Sequence, residues 1–295
     1  MIDVEPRIWW QDGSQTTRCI ACGFERFPLL KERPSPHLCP PCTATVEQLP
    51  PSRHTSGHAQ DQGPRQWHAD AAAIFRHPDT GRQAWAVADG IGDDHEPGEG
   101  AHMTVWAAAA AAVHTGAAGA LLAAREVWHR EYGDWPPGQE GNAVAVVAVA
   151  FDDAHGCGYD IAWCGDARAY TYHNGTLTQH TTDHTIAEQM RAEGLPEEWI
   201  GPRYHHAVTS SIAKGEIASI RTTGPARLLL CSDGVYNALP PEAIGRGLRV
   251  FTDPGNAARR LVDAARRAGG TDNATALVVN PCSEHKAPGQ CIAVR

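Results

Sequence analysis

Three aspartates in this 295-residue chain stand where an apolar run meets a turn. Asp89 closes residues 84–92, AWAVADGIG; Asp233 closes residues 228–234, LLLCSDG; Asp272 sits in GTDNATALVV, just ahead of a third apolar run. Each reads as a buried strand delivering a carboxylate to a turn. An ionised carboxylate in that position needs hydrogen bonds, a cation or a metal to offset its desolvation. Asp-Gly is also a common turn dipeptide, because Gly supplies positive φ and Asp caps its own backbone. One such pair alone therefore indicates only a turn, whereas three carboxylates at three strand ends suggest one shared cation site. Oxygen ligands without Cys or His at these points favour magnesium or manganese over zinc.

A second constellation lies near the N-terminus. Cys19 and Cys22, then sixteen residues, then Cys39 and Cys42 make two C-x2-C pairs with the spacing of a four-cysteine zinc site. Gly23 and Pro40-Pro41 supply turn chemistry. A module of this size has too small a core to fold without metal, so residues 1–48 read as a zinc ribbon holding one structural Zn2+. Its basic residues, Arg18, Arg26, Lys31 and Arg33, are interleaved with acids, and a docking appendage suits them at least as well as a binding module.

The elements that must position the aspartates come next. Residues 49–64, rich in Pro, Ser, Gly, Gln and His, read as a flexible linker. The main domain spans 65–280, followed by a polar tail over 281–295. Asp70 and AAAIF begin a strand, HPDTG turns, and AWAVADG returns, making a hairpin with Asp70 and Asp89 at opposite ends of their strands. An acidic loop, DDHEPGEG, precedes Ala-rich helices at about 101–113 and 117–131. The strand NAVAVVAVAF leads to YDIAWCGDARAYTY, which carries Asp166 and Arg168, and Asn174-Gly175 signals a type I′ hairpin. A helix with an irregular flap over 185–215, a helix at about 255–267 and a closing strand complete an α+β pattern, two sheets inside and helices outside.

A net charge of −9 argues against nucleic acid as a partner and suits a protein that recruits divalent cations. The start MIDVEPRIWW lacks a signal-peptide pattern. The apolar stretch 103–124 is dominated by Ala, which contributes little to insertion, so two soluble helices are expected there rather than a membrane span. Nine cysteines, five of them scattered, suit reduced thiols and a cytoplasmic location. Abundant Ala, Gly, Arg and Pro suit a bacterial origin.

VADGIG, GDAR, TTDHT, LLLCSDG and GGTDNAT, in this order, resemble the motif series of the metal-dependent protein phosphatases, the PPM or type 2C serine/threonine family, over residues 60–280. The resemblance implies a four-layer α-β-β-α sandwich with central antiparallel β-sheets, and two or three Mg2+ or Mn2+ ions between the sheets. By position, Asp89 would bridge two metals, with the Gly90 carbonyl on the second. Asp233 and Asp272 would hold the first, Asp70 would help hold the second, and Asp166 would hold a looser third with Asp233. Arg65 matches the arginine that grips the substrate phosphate, and Asn273 follows Asp272 as the family's asparagine does. The implied activity is hydrolysis of phosphoserine and phosphothreonine on proteins by a metal-activated water, opposing a Ser/Thr kinase. The alternative is a noncatalytic phosphoprotein-binding scaffold with the ribbon as docking module; loss of a metal aspartate would favour it, and none is lost.

The sequence departs from the family at Ala69, at His68, at Ile91 where a Met or a His general acid stands, in the acidic loop, and in the flap HHAVTSSIAKG. Substrate preference is therefore not inherited. His95, His205 and His206 read as solvated, and His184 as a structural residue beside Asp183.

Overall fold

The computed structural model describes residues 54–77, 79–92, 94–136, 140–153 and 156–281, together with a short antiparallel pair, β1 (Thr17–Arg18) and β2 (Glu25–Arg26). Cys19, Cys22, Cys39 and Cys42, and with them the zinc-ribbon reading, lie outside the described residues, as does the tail beyond residue 281.

Two five-stranded antiparallel sheets face each other. The first has the order β4 (Asp70–Arg76), β5 (Gln83–Gly90), β6 (Ala143–Asp153), β7 (Gly156–Cys164), β10 (Ala218–Arg221). The second has the order β3 (Ser56–Asp61), β12 (Ala274–Val279), β11 (Arg227–Cys231), β8 (Arg168–His173), β9 (Thr176–Gln179). The period-2 alternation of a strand divides the apolar residues between two cores. In β5, Trp85 and Val87 point between the sheets, where they join Val146, Ile161, Leu228 and Leu277. Ala84, Ala86 and Ala88 point outward onto α1 (His95–Tyr132). On the other face, Leu229, Cys231, Ala276 and Val278 pack under Ile244 and Leu248 of α4 (Pro241–Val250) and Leu261 and Val262 of α5 (Pro254–Arg267). The result is the expected four-layer α-β-β-α arrangement.

α1 is two helices end to end. Gly116 breaks them at φ 76° and ψ 175°, a conformation that favours glycine, and Asp160 Oδ2 accepts a hydrogen bond from Ala117 N at 2.9 Å to start the second half. The break falls where the sequence placed it. The first half starts earlier than expected, at His95, because the turns with Pro97, Gly98 and Gly100 lie tight against the sheet edge: a Cβ on Gly100 would stand 1.8 Å from the Gly141 carbonyl oxygen. Most apolar residues of α1 are buried on the first sheet, while Leu122 is 53% exposed.

The Asn174-Gly175 turn appears as expected, with both residues at positive φ (49° and 86°) and His173 paired with Thr176. The stretch after α2 (Ile186–Ala192) is a flap of irregular chain and 3-10 turns. Two expectations are corrected. Residues 56–61, placed in a flexible linker over 49–64, form the edge strand β3, paired along its whole length with β12. Its half-exposed polar side chains made it read as linker, while its backbone is committed to the sheet. Of the cysteines expected to be reduced, Cys164 and Cys231 are free and buried, but Cys157 is disulfide-bonded.

Candidate active site

The antiparallel register sets Asp70 directly opposite Asp89. Three further carboxylates come from the neighbouring turns. Asp166 lies between β7 and β8, Asp233 opens the short helix α3 (Asp233–Tyr236) after β11, and Asp272 precedes β12. A cavity of about 590 Å³ is lined by Arg65, Asp89, Gly90, Asp166, Asp233, Asp272 and Asn273. Asp70 lies beneath it, 1% exposed. The structure thus gathers the residues singled out in the main domain into one place.

These carboxylates strain against each other. Burial pushes the Asp70 carboxyl up to about 7, further raised by Asp233 and Asp272 and opposed by the Ser232 hydroxyl. Burial and then Asp70 raise Asp89 well above the carboxylate range. Burial lifts Asp166 to about 7 and Asp233 to about 6, with Asp233 and Asp272 respectively adding to it. Ser232 Oγ donates to Asp70 Oδ2 at 2.7 Å and accepts from Thr275 N at 2.9 Å, but buried Asp70 Oδ1 has no hydrogen-bond partner. Clustered buried carboxylates with an unmatched oxygen fit divalent cations, which relieve both desolvation and repulsion. Among the described residues no group of three or more His, Cys, Asp and Glu side chains stands in position to hold a metal ion.

The loop over 62–69 is tied to the site by Asn273. Its Oδ1 accepts from Ala69 N at 2.7 Å, and its Nδ2 donates to the carbonyls of Gln62 at 2.7 Å and Trp67 at 3.2 Å. Arg266 adds a second tie, donating to Asp61 Oδ1 at 2.8 Å and to the Asp272 carbonyl at 3.0 Å. Close packing demands glycine at two points: a Cβ would stand 2.5 Å from the Pro97 carbonyl oxygen at Gly90 and 2.0 Å from the Asn273 carbonyl oxygen at Gly234. Arg65, expected to meet a phosphate, sits at the rim with Nη2 2.8 Å from Asp272 Oδ2.

On the opposite side, Arg168 of GDAR grips Asp183 of TTDHT, with Nε–Oδ1 at 2.9 Å and Nη2–Oδ2 at 2.6 Å. Its guanidinium lies 3.5 Å over the ring of Tyr236, whose hydroxyl donates to the Asp166 carbonyl at 2.9 Å. Beside this corner His184 Nδ1 accepts from Gly165 N at 3.2 Å, while its own N donates to the Gly165 carbonyl at 2.9 Å. His184 is thus structural, as expected. Sequence reasoning missed the Arg168–Asp183–Tyr236 brace; the two motifs that hold it were visible, their contact was not. His206, read as solvated, is exposed at the rim, where it also lines the cavity with Nδ1 3.9 Å from Asp233 Oδ2. His95 lies in the first turn of α1 near Glu99, exposed and outside the cavity lining.

No protein-family model matches the chain. It is 30% identical over 214 residues to the serine/threonine protein phosphatase PstP of Mycobacterium tuberculosis, an alignment covering 68% of this chain and 41% of PstP. It is 26% identical over 235 residues to the serine/threonine phosphatase stp of Listeria monocytogenes, covering 73% of this chain and 90% of stp. The chain therefore spans about two-fifths of the PstP sequence and most of the Listeria one. Among solved structures, the PPM Ser-Thr phosphatase MsPP of Mycobacterium smegmatis, in complex with cacodylate, superposes with a TM-score of 0.63 at 25% identity, covering 77% of this chain and 98% of that one. The PstP catalytic domain in complex with two manganese ions gives 0.61 at 25%, covering 77% and 97%. In its sandwich and in these relatives the chain is similar to the PPM-type serine/threonine phosphatases.

Proposed function

We propose that this protein hydrolyses phosphoserine and phosphothreonine on proteins in the bacterial cytoplasm, reversing the work of a Ser/Thr kinase. The observation that carries the reading is the carboxylate cluster beneath an arginine-rimmed cavity, with an unmatched oxygen on buried Asp70. There Asp89, Asp233, Asp272, Asp70 and the Gly90 carbonyl would hold two Mg2+ or Mn2+ ions, and Asp166 with Asp233 would hold a looser third. Bound there, such ions lower the pKa of water and neutralise charge on phosphoryl oxygens during in-line displacement. Arg65 at the rim supplies a planar fork for two phosphate oxygens. Asn273 keeps the Arg65 loop in register, and the Arg168 brace keeps the Asp166 turn in place.

The N-terminal module enters this reading as a zinc-held docking appendage. β1 and β2 pair with Thr17 opposite Arg26 and Arg18 opposite Glu25. Replacing Cys19 and Cys22 by Ser is expected to release one equivalent of zinc and leave small-substrate hydrolysis intact.

The test of the main reading is phosphate release from a phosphothreonine peptide by metal-stripped protein, with and without Mn2+, beside Asp233→Asn. Manganese-dependent release, at least a hundredfold lower in the variant, is expected. Absence of release from folded, metal-supplemented protein overturns the enzyme and leaves a phosphoprotein-binding role.

A further inference from the structure

Beside the carboxylates the cavity wall is apolar at two exposed positions. Trp67 is 41% exposed and Ile91 40% exposed, and both line the cavity that holds Asp89 and Asp233. They reach it from opposite sides of the chain: Trp67 follows Arg65 by two residues, and Ile91 follows Asp89 by two. Apolar side chains exposed beside a polar centre offer area that a bound partner can remove from water.

Trp67 is held in place. Its ring meets that of His95 edge-on, with centroids 5.4 Å apart and planes at 82°, and its carbonyl accepts from Asn273 Nδ2. The backbone N of Ile91 donates to the Asn142 carbonyl at 2.9 Å. A preorganised aromatic at the edge of a pocket gives up little entropy when a partner docks on it, which is why such residues act as anchors.

We propose that Trp67 and Ile91 form an apolar shelf that selects substrates carrying a large apolar side chain within two positions of the phosphothreonine. The inference rests on the phosphatase reading above. Its scale follows from chain geometry. Arg65 and Trp67 are two residues apart, so their Cα atoms lie within about 7 Å, the span of two residues of an extended peptide. With the phosphate on Arg65, the neighbouring substrate side chain falls over Trp67, where both lose apolar surface to water.

The test compares kcat/KM, in Mn2+, for two phosphothreonine peptides that differ only in carrying Phe or Gly at the positions flanking the phosphothreonine. The intact protein is expected to favour the Phe peptide about tenfold, equivalent to about 1.4 kcal/mol. Trp67→Ala is expected to cut the preference to about twofold, and Trp67→Phe to keep most of it. Equal values in the intact protein, or a preference that survives Trp67→Ala, overturn the shelf while leaving the phosphatase reading intact. Failure to hydrolyse either peptide overturns both. Should Trp67→Ala not fold, Ile91→Ser takes its place: a preference lowered at least threefold supports the shelf, and an unchanged one overturns it.

Discussion

Two arginines flank the carboxylate cluster and are held in opposite ways. Arg168 is 23% exposed and its partner Asp183 11%; they meet through two nitrogens and two oxygens, with Tyr236 beneath the guanidinium. Burial would lower the Arg168 pKa, but Asp183 outweighs it and the pKa rises. Arg65 is 40% exposed and Asp272 39%, and they meet through one nitrogen. A half-buried bidentate pair is a fixture whose loss leaves a partly desolvated charge, whereas an exposed pair is screened and weak. The difference separates an arginine fixed in the wall of the site from one held at its rim.

Four outcomes break or sharpen that contrast. The largest concerns the carboxylates both arginines surround. In the metal-free protein Asp70 and Asp166 keep their protons to about pH 7 and Asp233 to about 6, whereas unfolded aspartates release theirs near 3.8. The folded state binds more protons in between, so the contribution these groups make at pH 4 is lost as pH rises through 7. Denaturant titrations of metal-free protein should show stability falling across that window, and a stability rising from pH 4 to 7 would break the picture. Next, Arg168→Met leaves half-buried Asp183 without its partner and is expected to cost about 1.5–3 kcal/mol in the same titration. Third, Asn273→Ala removes three hydrogen bonds to the Arg65 loop and is expected to cost about 1–3 kcal/mol, with a fall in turnover larger than that loss of stability explains. Last, Arg65→Met should change stability by less than about 1 kcal/mol while raising KM for a phosphopeptide. Arg65→Met as damaging to stability as Arg168→Met would erase the distinction.

Much of this was legible in the sequence because the site is written on strands. An apolar run ending in Asp-Gly announces both a buried strand and the carboxylate at its end, and the hairpin partner of Asp89 follows from antiparallel pairing. The Gly116 break and the Asn174-Gly175 turn were legible for a local reason, since each needs positive φ. What escaped was decided by tertiary contact. β3, SGHAQD, has no apolar face and is a strand only because β12 offers it a ladder. The first turns of α1 contain HEPGEG, poor helix formers that are helical where glycine lets them press against the sheet edge. α4 was missed because PEAIGRGLRV carries two glycines, although Ile244 and Leu248 share one buried face four residues apart. The Arg168–Asp183 pair spans 15 residues and the Asn273 ties over 200, separations at which residue types alone do not name a partner.

The pairing of β3 with β12 also brings the two ends of the sandwich together. Ser56 lies opposite Val279, Asn280 N donates to the Thr55 carbonyl at 2.8 Å, and Asn280 Nδ2 donates to Thr55 Oγ1 at 3.1 Å. Asp61 and Ala274, at the other end of the same ladder, adjoin the loops that carry Arg65 and Asp272. Six residues of strand therefore separate the chain ends from the carboxylates, roughly 20 Å. The domain is topologically a loop fastened at one corner: a short splice between residues 55 and 280 would permit new termini elsewhere, and the whole unit could be inserted as a cassette into another protein with its carboxylate-lined mouth facing away from the joint.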